Sequence, residues 1–207
     1  VLPTGEIVNT GVKTAKGVVG YDLTRLLIGS EGTLGIITRM TLRLLPLPEA
    51  VRTLIAIFDM MERAAETVSE VIRCGFIPRT IEYMDNASIR CVESHLNIGL
   101  PVEAEALLLI EVDGKVDEAD MLISQLNTVC MSQGAKSVNI AENEAEVANL
   151  WKARKAISPA LFKYGTDKIN EDIVVPRSRI PDMVRKINAL REETGLTMVS
   201  FGHAGDG

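Results

Sequence analysis

The chain has little of what many binding and catalytic classes require. Its 207 residues include only two histidines and three cysteines, Cys74, Cys91 and Cys130. No pair of cysteines has metal-ligand spacing and their number is odd, so they read as reduced thiols in or near a core. Lys and Arg are outnumbered by Asp and Glu, 22 to 28, which leaves a formal net charge of −6. A nucleic-acid surface needs the opposite sign. No apolar run approaches the ~18 residues of a membrane-spanning helix. The opening Val1-Leu2-Pro3-Thr4-Gly5 has no basic region and no signal-peptide pattern. These absences read as a cytoplasmic protein without a transmembrane segment. Forty-six per cent of residues are hydrophobic, enough for one large domain or one and a half small ones. Both ends look cut: Val1 opens inside what reads as a strand, and Gly207 closes a glycine-rich run with no helix end behind it.

What the chain does have is Gly29-Ser30-Glu31-Gly32-Thr33-Leu34-Gly35-Ile36-Ile37-Thr38, three glycines within seven residues running into β-branched residues. Glycine permits close backbone approach, and exposed amides suit a phosphate. The spacing is neither the dinucleotide fingerprint nor the P-loop. By spacing alone, a tight turn between a helix and a strand and a ligand-contacting loop both remain open. Lys13, Lys16 and Arg25 nearby either neutralise a pyrophosphate or solvate a loop.

Periodicity divides the chain at Pro46 and Pro48. Before them, Val1 to Gly11 reads as a hairpin, Asp22 caps a short helix from Leu23 to Ile28, and Thr33 to Leu44 reads as a long strand. After them come a strand at 51–58, a helix at 62–73, a strand at 80–84, a helix from Asp85 to about His95, a buried strand at 106–112, a helix at 117–131 and a strand at 136–140. Two split βαβ units predict an α+β fold, a ferredoxin-like antiparallel sheet with helices on one face, and helix 86–95 is an insertion between them. A long helix from Glu144 to about Tyr164, a strand at 169–175, a helix from Pro181 ended by Gly195 and a strand at 197–201 complete the pattern.

On the long helix, Val147, Leu150, Trp151, Ile157 and Leu161 form one stripe, and Arg154 sits inside it with Ser158 four residues on. An inward guanidinium must meet an anion. That anion is either a local carboxylate or the carboxylate of a substrate held bidentately. Pro159 should kink the helix there. Asn170, Glu171 and Asp172 place adjacent carboxylates on opposite faces of the expected strand. His203, in Gly202-His203-Ala204-Gly205-Asp206-Gly207, is either an ordinary histidine or a metal ligand at a strand end.

Three of these segments carry a family resemblance. Gly20 to Thr38 closely resembles the end of the FAD-binding domain of flavin-linked 2-hydroxyacid dehydrogenases. This is the group of the glycolate oxidase D-subunit, D-lactate dehydrogenase and D-2-hydroxyglutarate dehydrogenase, flavoproteins of the vanillyl-alcohol-oxidase type. Leu150-Trp151-Lys152-Ala153-Arg154 and Gly202 to Gly207 are similar to two further family segments. The resemblance implies that residues 1–46 are the back half of an FAD-binding α+β domain and residues 47–207 most of a substrate-capping domain. It implies FAD along Gly29, Ser30, Glu31, Gly32, Gly35, Ile36 and Ile37. Arg154, assisted by Ser158, would hold the substrate carboxylate. Asn170 stands near where some relatives use a lysine as a second contact, with Lys168 two positions earlier. His203 would act catalytically at the 2-hydroxyl and bind a divalent metal such as Zn or Mn. The family's other metal ligands lie past Gly207, so that site is expected to be empty in this chain.

The implied reaction is oxidation of a small D-2-hydroxy acid with hydride transfer to FAD. Electrons would pass to an acceptor protein or quinone, and a homo-oligomer or partner subunits are possible. Two alternatives stay open. The first is the same flavoenzyme type acting on another alcohol, marked by a phosphate-sized basic pocket beyond Arg154. The second is a cofactor-free ferredoxin-like interaction module, marked by an internally paired Arg154.

Overall fold

The computed structural model describes residues 1–165 and 167–207. The chain divides into two units, Val1–Leu47 and Pro48–Gly207.

The first unit has one regular element, helix α1 (Leu23–Leu27). Asp22 caps it by accepting from the Arg25 amide at 3.0 Å. A turn closes at its start, where the Gly5 amide donates to the Leu2 carbonyl at 2.8 Å. The hairpin expected over Val1 to Gly11 and the strand expected over Thr33 to Leu44 do not form. A strand needs a backbone neighbour, and here the pairing amounts to one bond across the turn, from the Leu2 amide to the Glu6 carbonyl at 2.9 Å, and to Val1 and Ile36, which exchange two bonds of 2.8 Å.

The second unit is built on five strands. In chain order the elements are β1 (Ala50–Phe58), α2 (Met61–Arg73), β2 (Thr80–Asp85), α3 (Asn86–Leu96), β3 (Ala106–Gly114), α4 (Val116–Ser132), β4 (Ser137–Ile140), α5 (Glu144–Ala160), α6 (Ile180–Thr194) and β5 (Phe201–His203). Strand order across the sheet is β4-β1-β3-β2-β5, and every pair is antiparallel. The first four strands give the ferredoxin-like order, and β5 extends the sheet beside β2. Strand β3 is central because its run Ala106 to Val112 buries both faces.

The two sides of each strand serve different helices. Leu54, Ala56 and Phe58 of β1 join Leu108 and Ile110 of β3 in one core with Val68 and Val71 of α2 and Leu126 and Cys130 of α4. The ferredoxin-like helices therefore share one face, and Val184 brings α6 to the same core. Met84 and Leu107 point the other way, into a core with Ile89 and Val92 of α3 and Ala153, Ile157 and Ala160 of α5. Helices α3 and α5 thus cover the opposite face.

Local chemistry sets the element ends. Asp85 ends β2 and caps α3, accepting from the Ser88 amide at 2.9 Å. Asn143 caps α5 through the Glu146 amide at 3.0 Å. Pro159 has no amide hydrogen to donate, and one residue later α5 gives way to a 3₁₀ turn, Leu161–Lys163. Gly195 ends α6 in the left-handed conformation at φ 66°.

Two further expectations differ. Residues 169–175 form no strand, because the five-strand sheet closes without them. The last strand is Phe201–His203 and not 197–201, so His203 lies within it and not beyond its end.

Candidate functional site

The chemistry-bearing side chains of the second unit gather on the α5 face of the sheet, around a carboxylate that pattern reading passed over. Glu82 lies on β2 between Ile81 and Tyr83, whose side chains enter the opposite core. Strand alternation therefore aims Glu82 at α5. Its side chain is 2% exposed. A carboxylate buried to that degree must be paired, and it is. The Arg154 Nε donates to Glu82 Oε2 at 2.8 Å. The Thr80 hydroxyl donates to Oε1 at 2.8 Å, and the His203 Nδ1 lies 2.6 Å from the same oxygen.

The backbone explains the meeting. Glu82 and His203 are direct partners in the antiparallel register of β2 and β5, and Met84 partners Phe201. Partners in register project to the same face. Phe201 and His203 thus flank the guanidinium, whose carbon lies 5.2 Å from the Phe201 ring centroid. The segment leading into β5 is fastened by Asp85, which is fully buried. Asp85 Oδ2 accepts from the Ser200 amide and from Arg191 of α6, both at 2.8 Å. Gly205 packs against β2 just beyond, where an added Cβ would come within 3.3 Å of the Ile81 nitrogen.

Arg154 is 13% exposed and its pair with Glu82 uses Nε. Among the described residues, the Nη groups make no hydrogen bond. The guanidinium is therefore paired internally on one edge and keeps a donor edge for an acidic ligand. Because Glu82 as a carboxylate only accepts, neutral His203 carries its proton on Nδ1 and turns the Nε2 lone pair away. The His203 side chain is 75% exposed.

One turn along α5, the Ser158 hydroxyl lies 2.9 Å from the Lys168 ammonium, which also sits 5.3 Å from the Phe162 ring centroid. Spacing of four residues puts Ser158 on the Arg154 face of the helix. Asn170 is exposed and makes no hydrogen bond among the described residues. Lys168, not Asn170, is thus the residue brought to Ser158.

A second buried carboxylate fixes the same helix. Glu111 of β3, 7% exposed, accepts from the Trp151 indole at 2.9 Å and from Thr53 at 3.0 Å, with Arg79 at 3.4 Å. On the reverse face, burial and then the charge of Asp85 push the Tyr83 hydroxyl above its ordinary range, so it stays protonated and is a poor acid.

Among the described residues no three His, Cys, Asp or Glu side chains converge as a metal site. His203 offers one nitrogen, with Glu82 committed to its other one. The residues present do not by themselves fit a divalent ion.

In the first unit, Gly29, Ser30, Glu31, Gly32, Gly35, Ile36 and Ile37 line one concavity of about 320 Å³ together with Leu27. Gly29, Glu31 and Gly32 all take positive φ, at 79°, 51° and 80°. An added Cβ at Gly35 would meet the Val1 carbonyl at 3.0 Å. The Ser30 hydroxyl is buried here without a hydrogen-bond partner. Backbone that admits close approach, with an unpartnered hydroxyl inside it, suits a polar ligand. These residues fit a stretch of FAD. Lys13, Lys16 and Arg25, read as either pyrophosphate-neutralising or loop-solvating, are exposed.

The chain belongs to a class of flavoprotein domain: residues 47–207 match the family of FAD-linked oxidases, C-terminal domain. Among curated proteins, it is 42% identical over 207 residues to the glycolate oxidase subunit GlcD of Bacillus subtilis, covering all of this chain and 44% of that one. It is 39% identical to the GlcD subunit of Escherichia coli K12, covering 91% of this chain and 38% of that protein. It is 34% identical to a D-lactate dehydrogenase of Archaeoglobus fulgidus, covering 100% and 45%. The chain thus spans less than half the length of these relatives. Among solved structures, an alkyldihydroxyacetonephosphate synthase superposes with a TM-score of 0.62 at 17% identity, over 86% of this chain and 38% of that one, a likeness of fold. No helix among the described residues is long and apolar enough to cross a membrane.

Signals for the residues that pattern reading missed were present. Glu82 and Glu111 are carboxylates on strands otherwise built of buried apolar residues. A charge on the inward register of such a strand demands a cation, and Arg154 is the charge in the apolar stripe of α5.

Proposed function

We propose that this chain is the substrate-holding part of an FAD-dependent enzyme that oxidises a small D-2-hydroxy acid to the 2-oxo acid. The observation that carries the reading is the single buried carboxylate that holds both Arg154 and His203 while leaving each a free polar edge. Arg154 binds the substrate carboxylate through its Nη groups. Ser158 and Lys168 extend the anion-binding face along α5. His203 Nε2 accepts a hydrogen bond from the 2-hydroxyl, which orients C2 and draws the hydroxyl proton toward the imidazole. Bound FAD supplies the acceptor for the hydride leaving C2.

Residues 1–46 are read as the C-terminal part of the FAD-binding domain and 47–207 as the cap domain. Support for the first part comes from the concavity at Gly29 to Ile37 and its unpartnered Ser30 hydroxyl. Likeness to proteins called glycolate oxidase and D-lactate dehydrogenase supports the 2-hydroxy acid. The word subunit in two of those names supports a partner chain, with electrons passing on to an acceptor protein or quinone.

The internal pairing of Arg154 was the mark set for an interaction module without cofactor. Membership of the FAD-linked oxidase family and the free Nη edge weigh for the enzyme. Lys168 adds a second positive charge beside Ser158, which favours a substrate with a second anionic group.

The test is anaerobic reduction of the flavin-loaded protein by glycolate, D-lactate and D-2-hydroxyglutarate, read from the flavin absorbance. Bleaching by at least one D-2-hydroxy acid, with the L enantiomer inert, is expected. Bleaching by a simple alcohol or a phosphate ester but by no 2-hydroxy acid would overturn the assignment.

A further inference from the structure

We propose that Glu82 is a positioning residue that sets two ligand-binding groups at once, the guanidinium orientation of Arg154 and the tautomer of His203. The proposal deepens the functional reading above and rests on it for the identity of the ligand. Its physical content is independent of that ligand.

A carboxylate offers two oxygens and donates nothing. Glu82 uses this fully: Oε2 takes the Arg154 Nε–H, and Oε1 takes the Thr80 hydroxyl and the His203 Nδ1–H. The Glu82 side chain is itself 2% exposed, so its oxygens depend on these donors and not on bulk water. With Nε held, the guanidinium plane is fixed and its Nη edge is the one left for a carboxylate. With Nδ1 held, Nε2 is the acceptor. Both orientations come from one side chain, and one substrate carrying a carboxylate beside a hydroxyl matches the pair of edges.

No other side chain satisfies this pattern. Glutamine has one acceptor and one donor, so it keeps the histidine contact only by turning its NH2 toward the Arg154 N–H, or the arginine contact only by turning it toward the imidazole. Leucine of similar volume keeps neither. The pairing partners lie in register on β2 and β5 and on α5, so the carboxylate also ties the sheet edge to the helix.

The test is heteronuclear NMR on this chain, which has two histidines, so His95 near the end of α3 serves as the internal reference. At alkaline pH, where an ordinary imidazole is neutral, the His203 ring nitrogens are expected to report the Nδ1–H tautomer, and the Arg154 Nε–H to exchange slowly with water. In Glu82→Gln at least one of these two signatures is lost; in Glu82→Leu both are lost, while His95 and the methyl spectrum stay in place. An Nε2–H tautomer of His203 in the folded wild-type chain would overturn the proposal without any variant. So would both signatures surviving intact in Glu82→Gln. Titration of the flavin-loaded protein with glycolate, D-lactate and D-2-hydroxyglutarate separates the two levels. If none of the three moves the Arg154 Nη or the His203 Nε2 resonances, the 2-hydroxy acid assignment fails while the role of Glu82 is decided by the spectra above.

Discussion

Replacing Arg154 by methionine should destabilise the second unit, and replacing Glu82 by leucine in the same chain should restore most of what is lost. Arg154 and Glu82 are 13% and 2% exposed and bonded at 2.8 Å. Removing one member of a buried pair leaves the other charge uncompensated, at about 3–5 kcal/mol. Two features of the structure place this site at the lower end. His203, 2.6 Å from Glu82, remains as a donor and is open to water, and Thr80 still donates. About 3 kcal/mol is therefore expected for Arg154→Met. For a chain of this size that lowers the midpoint of thermal unfolding by roughly 6–12 °C. In the double variant Arg154→Met with Glu82→Leu, no buried charge is stranded, and stability should return to within about 1 kcal/mol of the parent. The coupling between the two sites is then about 2 kcal/mol or more. Urea unfolding followed by far-UV circular dichroism, on the parent, both single variants and the double variant, closes the cycle. If Arg154→Met costs less than about 0.5 kcal/mol, or the two single effects simply add, the pair is not the buried electrostatic unit argued here.

Three other outcomes follow from the same geometry. Trp151→Phe removes the indole donor from buried Glu111 and should cost about 1–3 kcal/mol, visible in urea unfolding; an unchanged midpoint would mean that Thr53 and Arg79 satisfy Glu111 alone. The Glu93 carboxylate is held below its ordinary value of 4.5 by the amides of Leu100, Gly99 and Ile98 that close the loop after α3. A lowered folded value gives stability above that ordinary value, and this is lost as pH falls through the lowered one, so the protection of the Gly99 and Leu100 amides relative to their intrinsic exchange rates should fall in acid, and Glu93→Gln should remove that acid step. Of the three thiols, exposed Cys74 should react with a disulfide reagent in the native chain, while Cys91 and Cys130 react only on unfolding; burial pushes Cys130 up to about 12. A count of two or more fast thiols would contradict the packing described.

The amino-acid sequence by itself determined the ferredoxin-like core. Periods of two and 3.6 residues mark β1 to β4 and α2 to α5 within a residue or two at most ends, because those elements bury one face and local pattern carries that information. Caps at Asp22, Asp85 and Gly195 were legible for the same reason, since each bonds within a few residues. Arg154 in an apolar stripe and His203 among glycines stood out as chemistry in the wrong place. What the sequence did not carry is who meets whom. Glu82 and His203 are 121 residues apart and become neighbours through the register of an edge strand. Arg154 reaches Glu82 because α5 lies on the face that α2 and α4 leave open. Residues 33–44 and 169–175 show the reverse: their β-rich patterns form no strand, and in the first of them backbone pairing is limited to Ile36 with Val1. Strand pairing and buried charge are satisfied between distant segments, so only the tertiary structure decides them.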